Sequence, residues 1–186
     1  MKKSPTLFML LLGCRPKGRY IEQHDIFFTI GNSLKEIIPD IKKSWKDSGN
    51  IHIDSWRTIT ACDGFEISII PFDENLQQSK KLFFLNLGGY KENDLEEYHY
   101  KMIVVANNKT SAIKKAKETA FYKHTGFKGA TSHIDDKYGI DVDDFYEITD
   151  ILPAEIKSKY SVLIQPSNKS KEDKLNIGYT NLSKIK

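Results

Sequence analysis

LFMLLLG at residues 7–13 returns as LFFLNLG at residues 82–88, and this recurrence decides how the start of the fold is read. Taken alone, the opening MKKSPTLFMLLLGC has the make-up of a lipoprotein signal: two lysines, an apolar run, and a Leu-Leu-Gly-Cys ending at Cys14. An internal copy cannot be a cleavable signal. Residues 7–13 are therefore predicted to form the first strand, whose removal would leave its neighbours with unpaired backbone groups.

The likeness extends outward from these two strings. Residues 7–32 lie on 82–107 without a gap, at a shift of 75, with eight identical pairs: Leu7/Leu82, Phe8/Phe83, Leu10/Leu85, Leu12/Leu87, Gly13/Gly88, Glu22/Glu97, His24/His99 and Asn32/Asn107. Chance at average composition gives about one or two. A second block lays 52–70 on 133–151 at a shift of 81 and pairs His52/His133, Ile53/Ile134 and Asp54/Asp135 among its identities. The change of shift places six extra residues in the second copy, within HTGFKGATS before His133.

Each copy reads as the same plan. An apolar strand is followed by a polar connector and then by a β-branched and aromatic strand, HDIFFTIG at 24–31 or HYKMIVVA at 99–106. A helix comes next. Ser33 and Glu36 make a capping box, and Leu34, Ile38, Ile41 and Trp45 recur at helical spacing; Pro39 sets the first turn apart. In the second copy Asn108 caps a stripe of Ile113, Ala116, Ala120 and Phe121. Two more strands are expected in each copy, near 51–60 and 64–71, then near 133–142 and 144–152. The prediction is an α+β protein built by tandem duplication of a ββαββ unit with β-grasp-like order, one helix across a mixed sheet, the two repeats packed with pseudo-twofold symmetry. Its divisions are 1–71 (first repeat), 72–81 (linker), 82–152 (second repeat) and 153–186 (a C-terminal strand, YSVLIQP, and a polar tail in which NIGYTNL docks).

Composition limits the function. A chain of 186 residues buries a core without staples. Its longest apolar run, residues 7–12, is far short of a membrane span. A net charge of +3 is too mild for a dedicated nucleic-acid binder, so such a role stands third and is unfavoured. Cys14 and Cys62 belong to no metal or redox spacing and suit a reducing cytoplasm.

The string HDIFF-x-x-G-x-S, then a proline and a tryptophan, then HIDSW, resembles the bacterial family catalogued as domain of unknown function 1543. The resemblance covers most of residues 7–152. It implies a small soluble bacterial protein and supplies no catalytic residues, because the family has no established activity.

Four of the five histidines fall at matched positions. Residues two apart in a strand share a face, so His52 with Asp54 and His133 with Asp135 each point one way. The candidate metal or ligand residues are therefore His24, His52 and Asp54 in one copy and His99, His133 and Asp135 in the other, suited to a divalent metal or to acid-base work. The alternative is structural: each ring fixes a sheet edge by hydrogen bonding, and both copies keep it because both must fold. Ser132 and His133 point to opposite faces and form no triad. IDDKYGIDVDD lacks the calcium-loop spacing, and GFKG at 126–129 lacks the second helix of a nucleic-acid clamp. Arg15, Lys17 and Arg19 in the first connector face an acidic counterpart in the second and are candidates to hold an anion or to pair with acidic residues.

With no nucleophile, phosphate loop or cofactor fingerprint, the first functional reading is a non-catalytic binding or interaction protein with a protein or small-molecule partner or as a homo-oligomer. The second is a metal-binding protein or metal-dependent enzyme using the repeated His/Asp pairs.

Overall fold

Strands covered on both faces read as continuous apolar runs, and LFMLLLG is such a run. In the computed structural model, which describes residues 4–46, 48–90, 95–124, 141–168 and 173–185, it forms β1 (Thr6–Cys14). β1 lies between β2 (Gln23–Gly31) and β3 (His52–Ile59), and β10 (Asn176–Asn181) extends the sheet beyond β3. All these pairs are antiparallel. Phe8, Leu10, Leu12 and Cys14 pack with Ile53, with Leu182, and with Ile37 and Ile41 of α1 (Leu34–Ser44), which crosses that face. On the opposite face Leu7 and Met9 are buried as well.

Helix α1 begins as its sequence predicts. Glu36 N donates to Ser33 Oγ at 3.3 Å, and the Glu36 carboxylate accepts from Asn32 N at 2.8 Å, one residue before the cap. Two expectations are corrected. The helix runs unbroken through Pro39, and Ile37 rather than Ile38 is buried with Ile41. An interior proline costs about 3 kcal/mol. Burying two isoleucines on either side returns about 1.5–3 kcal/mol each, which is enough to hold the two turns together.

A second sheet joins β4 (Ala61–Cys62), β5 (Phe65–Pro71) and β9 (Tyr160–Pro166). Asp63 and Gly64, with φ of 54° and 84°, make the tight turn between β4 and β5. This is the left-handed pair that a two-residue hairpin requires. Four groups converge on the Asp173 carboxylate: Thr60 N at 2.6 Å, Thr60 Oγ1 at 2.7 Å, Ala61 N at 3.2 Å and Thr58 Oγ1 at 3.4 Å. This anchors the segment that leads into β10.

The chain divides into two compact units, Met1–Leu76 with Leu152–Lys186, and Gln77–Ile151. In the second unit β6 (Lys81–Tyr90) lies between β7 (Glu97–Ala106) and β8 (Asp141–Glu147). Phe83, Leu85 and Leu87 pack on Ala112 and Ala116 of α2 (Lys109–His124), whose first turn is capped by Asn108 Oδ1 accepting from Ser111 N at 2.9 Å. β8 takes up 144–147 of the strand expected over 144–152, and a helical turn, α3 (Ile148–Ile151), replaces the rest; α4 (Ala154–Lys157) belongs to the first unit. Among the described residues the second unit reads ββαβ and then a helical turn, and most of the strand expected over 133–142 lies outside them. Every described pairing is antiparallel, in place of the mixed sheet of a β-grasp roll.

Sheet register also revises the second block of matches. His52 lies opposite Gly13, and Asp141 lies opposite Gly88. Position 52 thus answers position 141, a shift of 89 rather than 81. In both sheets the register slips by one: between Leu11 and Leu12 against β3, and between Asn86 and Leu87 against β8. Asp54 and Asp143 are the extra residues, each at a β-bulge, a device that re-aims a side chain. No helix among the described residues is long and apolar enough to cross a membrane. Cys14 and Cys62 are buried and not joined in a disulfide.

Candidate functional site

The face of the first sheet opposite α1 carries a cluster of two imidazoles and two carboxylates. Gly13 forms its floor. His24 comes from β2 directly opposite Gly13, His52 from β3 on the other side, and Asp54 from the bulge; Glu22 stands just before β2. The absence of a side chain at residue 13 is what admits the cluster. A Cβ built there would overlap His52 Nε2 and lie 2.8 Å from Asp54 Oδ2.

The contacts form a closed ring. His52 Nε2 is 3.1 Å from Glu22 Oε1 and 3.2 Å from Asp54 Oδ1, while His24 Nε2 is 3.6 Å from Glu22 Oε2 and 3.2 Å from Asp54 Oδ2. The His52 side chain is only 8% exposed, and Tyr179 of β10 stacks beside it at 4.5 Å between ring centroids. A ring nitrogen carries at most one proton. Two Nε2 atoms can therefore donate two hydrogens toward four oxygens, and the ring is short of donors. Asp54 Oδ2 is buried and accepts no hydrogen bond among the described residues, although His24 Nε2 is close by. Cys14, next in sequence to Gly13, turns into the core with α1. Burial pushes its thiol pKa up, and the Glu22 carboxylate adds to the shift.

The second unit repeats part of this arrangement. His99 Nε2 is 3.1 Å from Asp143 Oδ2 and 3.9 Å from Glu97 Oε2, beside Gly88. His99 thus meets Asp143, and β8 register puts Asp141, not His133, across from Gly88. His133 and Asp135 lie outside the described residues, as does GFKG. Glu22 and Glu97 were missed as candidates although they are identical across the shift of 75, a signal that could have found them. Arg15, Lys17 and Arg19 are exposed in the connector, and none enters an ion pair among the described residues.

Residues 19–69 match the family model described as Domain of Unknown Function (DUF1543), the family that the sequence resembles. That stretch contains all four members of the first cluster. Among solved structures, a protein Il1583 from Idiomarina loihiensis is similar in fold, at 24% identity over 96% of this chain and 98% of that one, with a TM-score of 0.66. No curated protein matches.

Proposed function

We propose that this chain is a non-catalytic metal-binding protein whose first unit holds a divalent ion of the zinc class with Glu22, His24, His52 and Asp54. The observation that carries the reading is the shortage of donors: four N···O approaches of 3.1–3.6 Å share two ring nitrogens, and a buried carboxylate oxygen accepts no hydrogen bond among the described residues. A cation supplies the missing positive charge. Ion–ligand bonds of about 2.0–2.2 Å meeting at about 90–110° leave ligand atoms roughly 2.9–3.6 Å apart, the range of these approaches. Two imidazoles with two carboxylates are a borderline donor set suited to zinc, and four protein donors fill a tetrahedral shell as structural sites do.

Duplication of a ββα unit is part of the proposal, supported by the eight identities at a shift of 75 and by matching bulges in the two sheets. The two buried thiols, not joined in a disulfide, support a reducing cytoplasmic setting.

The test is elemental analysis of untagged protein purified without chelator and then titrated with Zn2+, beside His52→Ala and Glu22→Gln. Near-stoichiometric zinc that is lost in both variants is expected. A wild type that takes up no zinc, with His52→Ala changing stability alone, would make the ring a protonated His–carboxylate network.

A further inference from the structure

We propose that the second unit carries a separate cation site, formed by Glu97, His99 and Asp143, whose chemistry is harder than that of the first and which takes Mn2+. It deepens the metal-binding reading but has its own residues, in another sheet.

Three observations place it there. One ligand atom from each of the three side chains lies within 4.8 Å of the others, and these come from two strands, β7 and β8, that flank β6 on opposite sides. Their convergence depends on Gly88: a Cβ there would overlap Asp143 Oδ2 and sit 2.8 Å from Glu97 Oε1. Asp143 also occupies the bulge against β6, and its backbone is turned out of the alternation at the point where it meets His99. A bulge, a bare glycine and an imidazole aimed at two carboxylates are separate features, and all three serve one spot.

The identity of the donors sets the metal class. The position across from the floor glycine holds His52 in the first unit and Asp141 in the second. Among the described residues, the second site therefore has a single imidazole, His99, beside carboxylates. Imidazole-rich sets suit zinc, copper and nickel, whereas carboxylates and water suit manganese, magnesium and calcium. No member of the second cluster is as buried as His52: the side chains of His99, Glu97 and Asp143 are exposed at 36%, 32% and 28%. Water can therefore complete a six-coordinate shell of the kind Mn2+ accepts.

The experiment is Mn2+ titration of the full chain followed by electron paramagnetic resonance, which reads the free aquo ion directly. Wild type, Asp143→Asn, His99→Ala and His52→Ala are compared, with circular dichroism to show that each is folded. One bound Mn2+ per chain is expected, weakened at least tenfold by Asp143→Asn and by His99→Ala and kept in His52→Ala. Absence of Mn2+ binding up to millimolar concentration overturns the proposal. So does binding that survives both second-unit substitutions or disappears only in His52→Ala. Zinc uptake by His99→Ala is measured in parallel: its loss would refute the first-unit reading, and its retention alongside lost Mn2+ binding would establish two distinct sites.

Discussion

Adding one methyl group at Gly13 separates the two demands that the first sheet places on that residue. Gly13 has no left-handed φ, so its backbone accepts alanine. Replacing glycine at a compatible position stabilises by about 0.4–1 kcal/mol through the unfolded chain. Against this, the new Cβ would overlap His52 Nε2 and crowd Asp54 Oδ2. Overpacking costs about 1–3 kcal/mol. Metal-free Gly13→Ala should therefore be destabilised by about 0.5–2 kcal/mol in urea titration. The metal effect should be larger, because His52 has to rotate away from Glu22 and Asp54, and a disturbed ligand typically loses about 10–100-fold in affinity. With zinc at 100 times the wild-type Kd, the wild type gains about 2.7 kcal/mol from binding, whereas a variant weakened 100-fold gains about 0.4 kcal/mol. The measurement is the zinc-induced increment in unfolding free energy, with Gly89→Ala as control, since a Cβ at Gly89 meets nothing within 4 Å among the described residues. A Gly13→Ala protein that is more stable than wild type without metal, and keeps the full zinc increment, would refute the argument.

Two further outcomes follow from other residues. Asp173→Ala removes a carboxylate that accepts from Thr58, Thr60 and Ala61; it should cost about 1.5–3 kcal/mol and raise amide exchange in β10 and β3 specifically, whereas uniform exchange would show that the anchor is unimportant. The Cys14 thiol is held protonated by burial first and by Glu22 second. Its contribution to stability is complete below the unfolded thiol pKa and falls as pH rises through the higher folded value, and iodoacetamide near pH 8 should label native Cys14 at least about tenfold more slowly than urea-unfolded protein; equal rates would refute it.

Much of this was legible in local pattern. LFMLLLG and its counterpart were readable as strands because the string recurs inside the chain, and Ser33, Glu36 and Asn108 announced the helix starts. His24, His52 and Asp54 were readable as neighbours from spacing and repetition. Asp143 was not, because HID at 133–135 copies HID at 52–54 letter for letter, while sheet register follows core volume. Val142 takes the place of Ile53 against Leu87, and Phe145 that of Trp56 against Leu85. The bulges break alternation, so no two-residue period reveals them. Ile37 and Ile38 differ by one residue in an otherwise identical stripe, and only packing against β1 decides between them. The pairing of β9 with β5 and of β10 with β3 joins segments far apart in sequence, which no window of local sequence reports.

The position of β10 bears on how the protein is made. The strand that carries His52 is synthesised early, yet its outer partner ends at Asn181, about 120 residues later. At roughly 5–20 residues per second, a nascent chain leaves that side of β3 uncovered for about 6–24 s. An open edge of this kind invites pairing with another chain. Features of that strand also guard against it: the ladder toward β10 is irregular between Ser55 and Ile53, and Asp54 and Arg57 place opposite charges along HIDSWRTI. During translation, Asp54 would serve as a gatekeeper against misassembly.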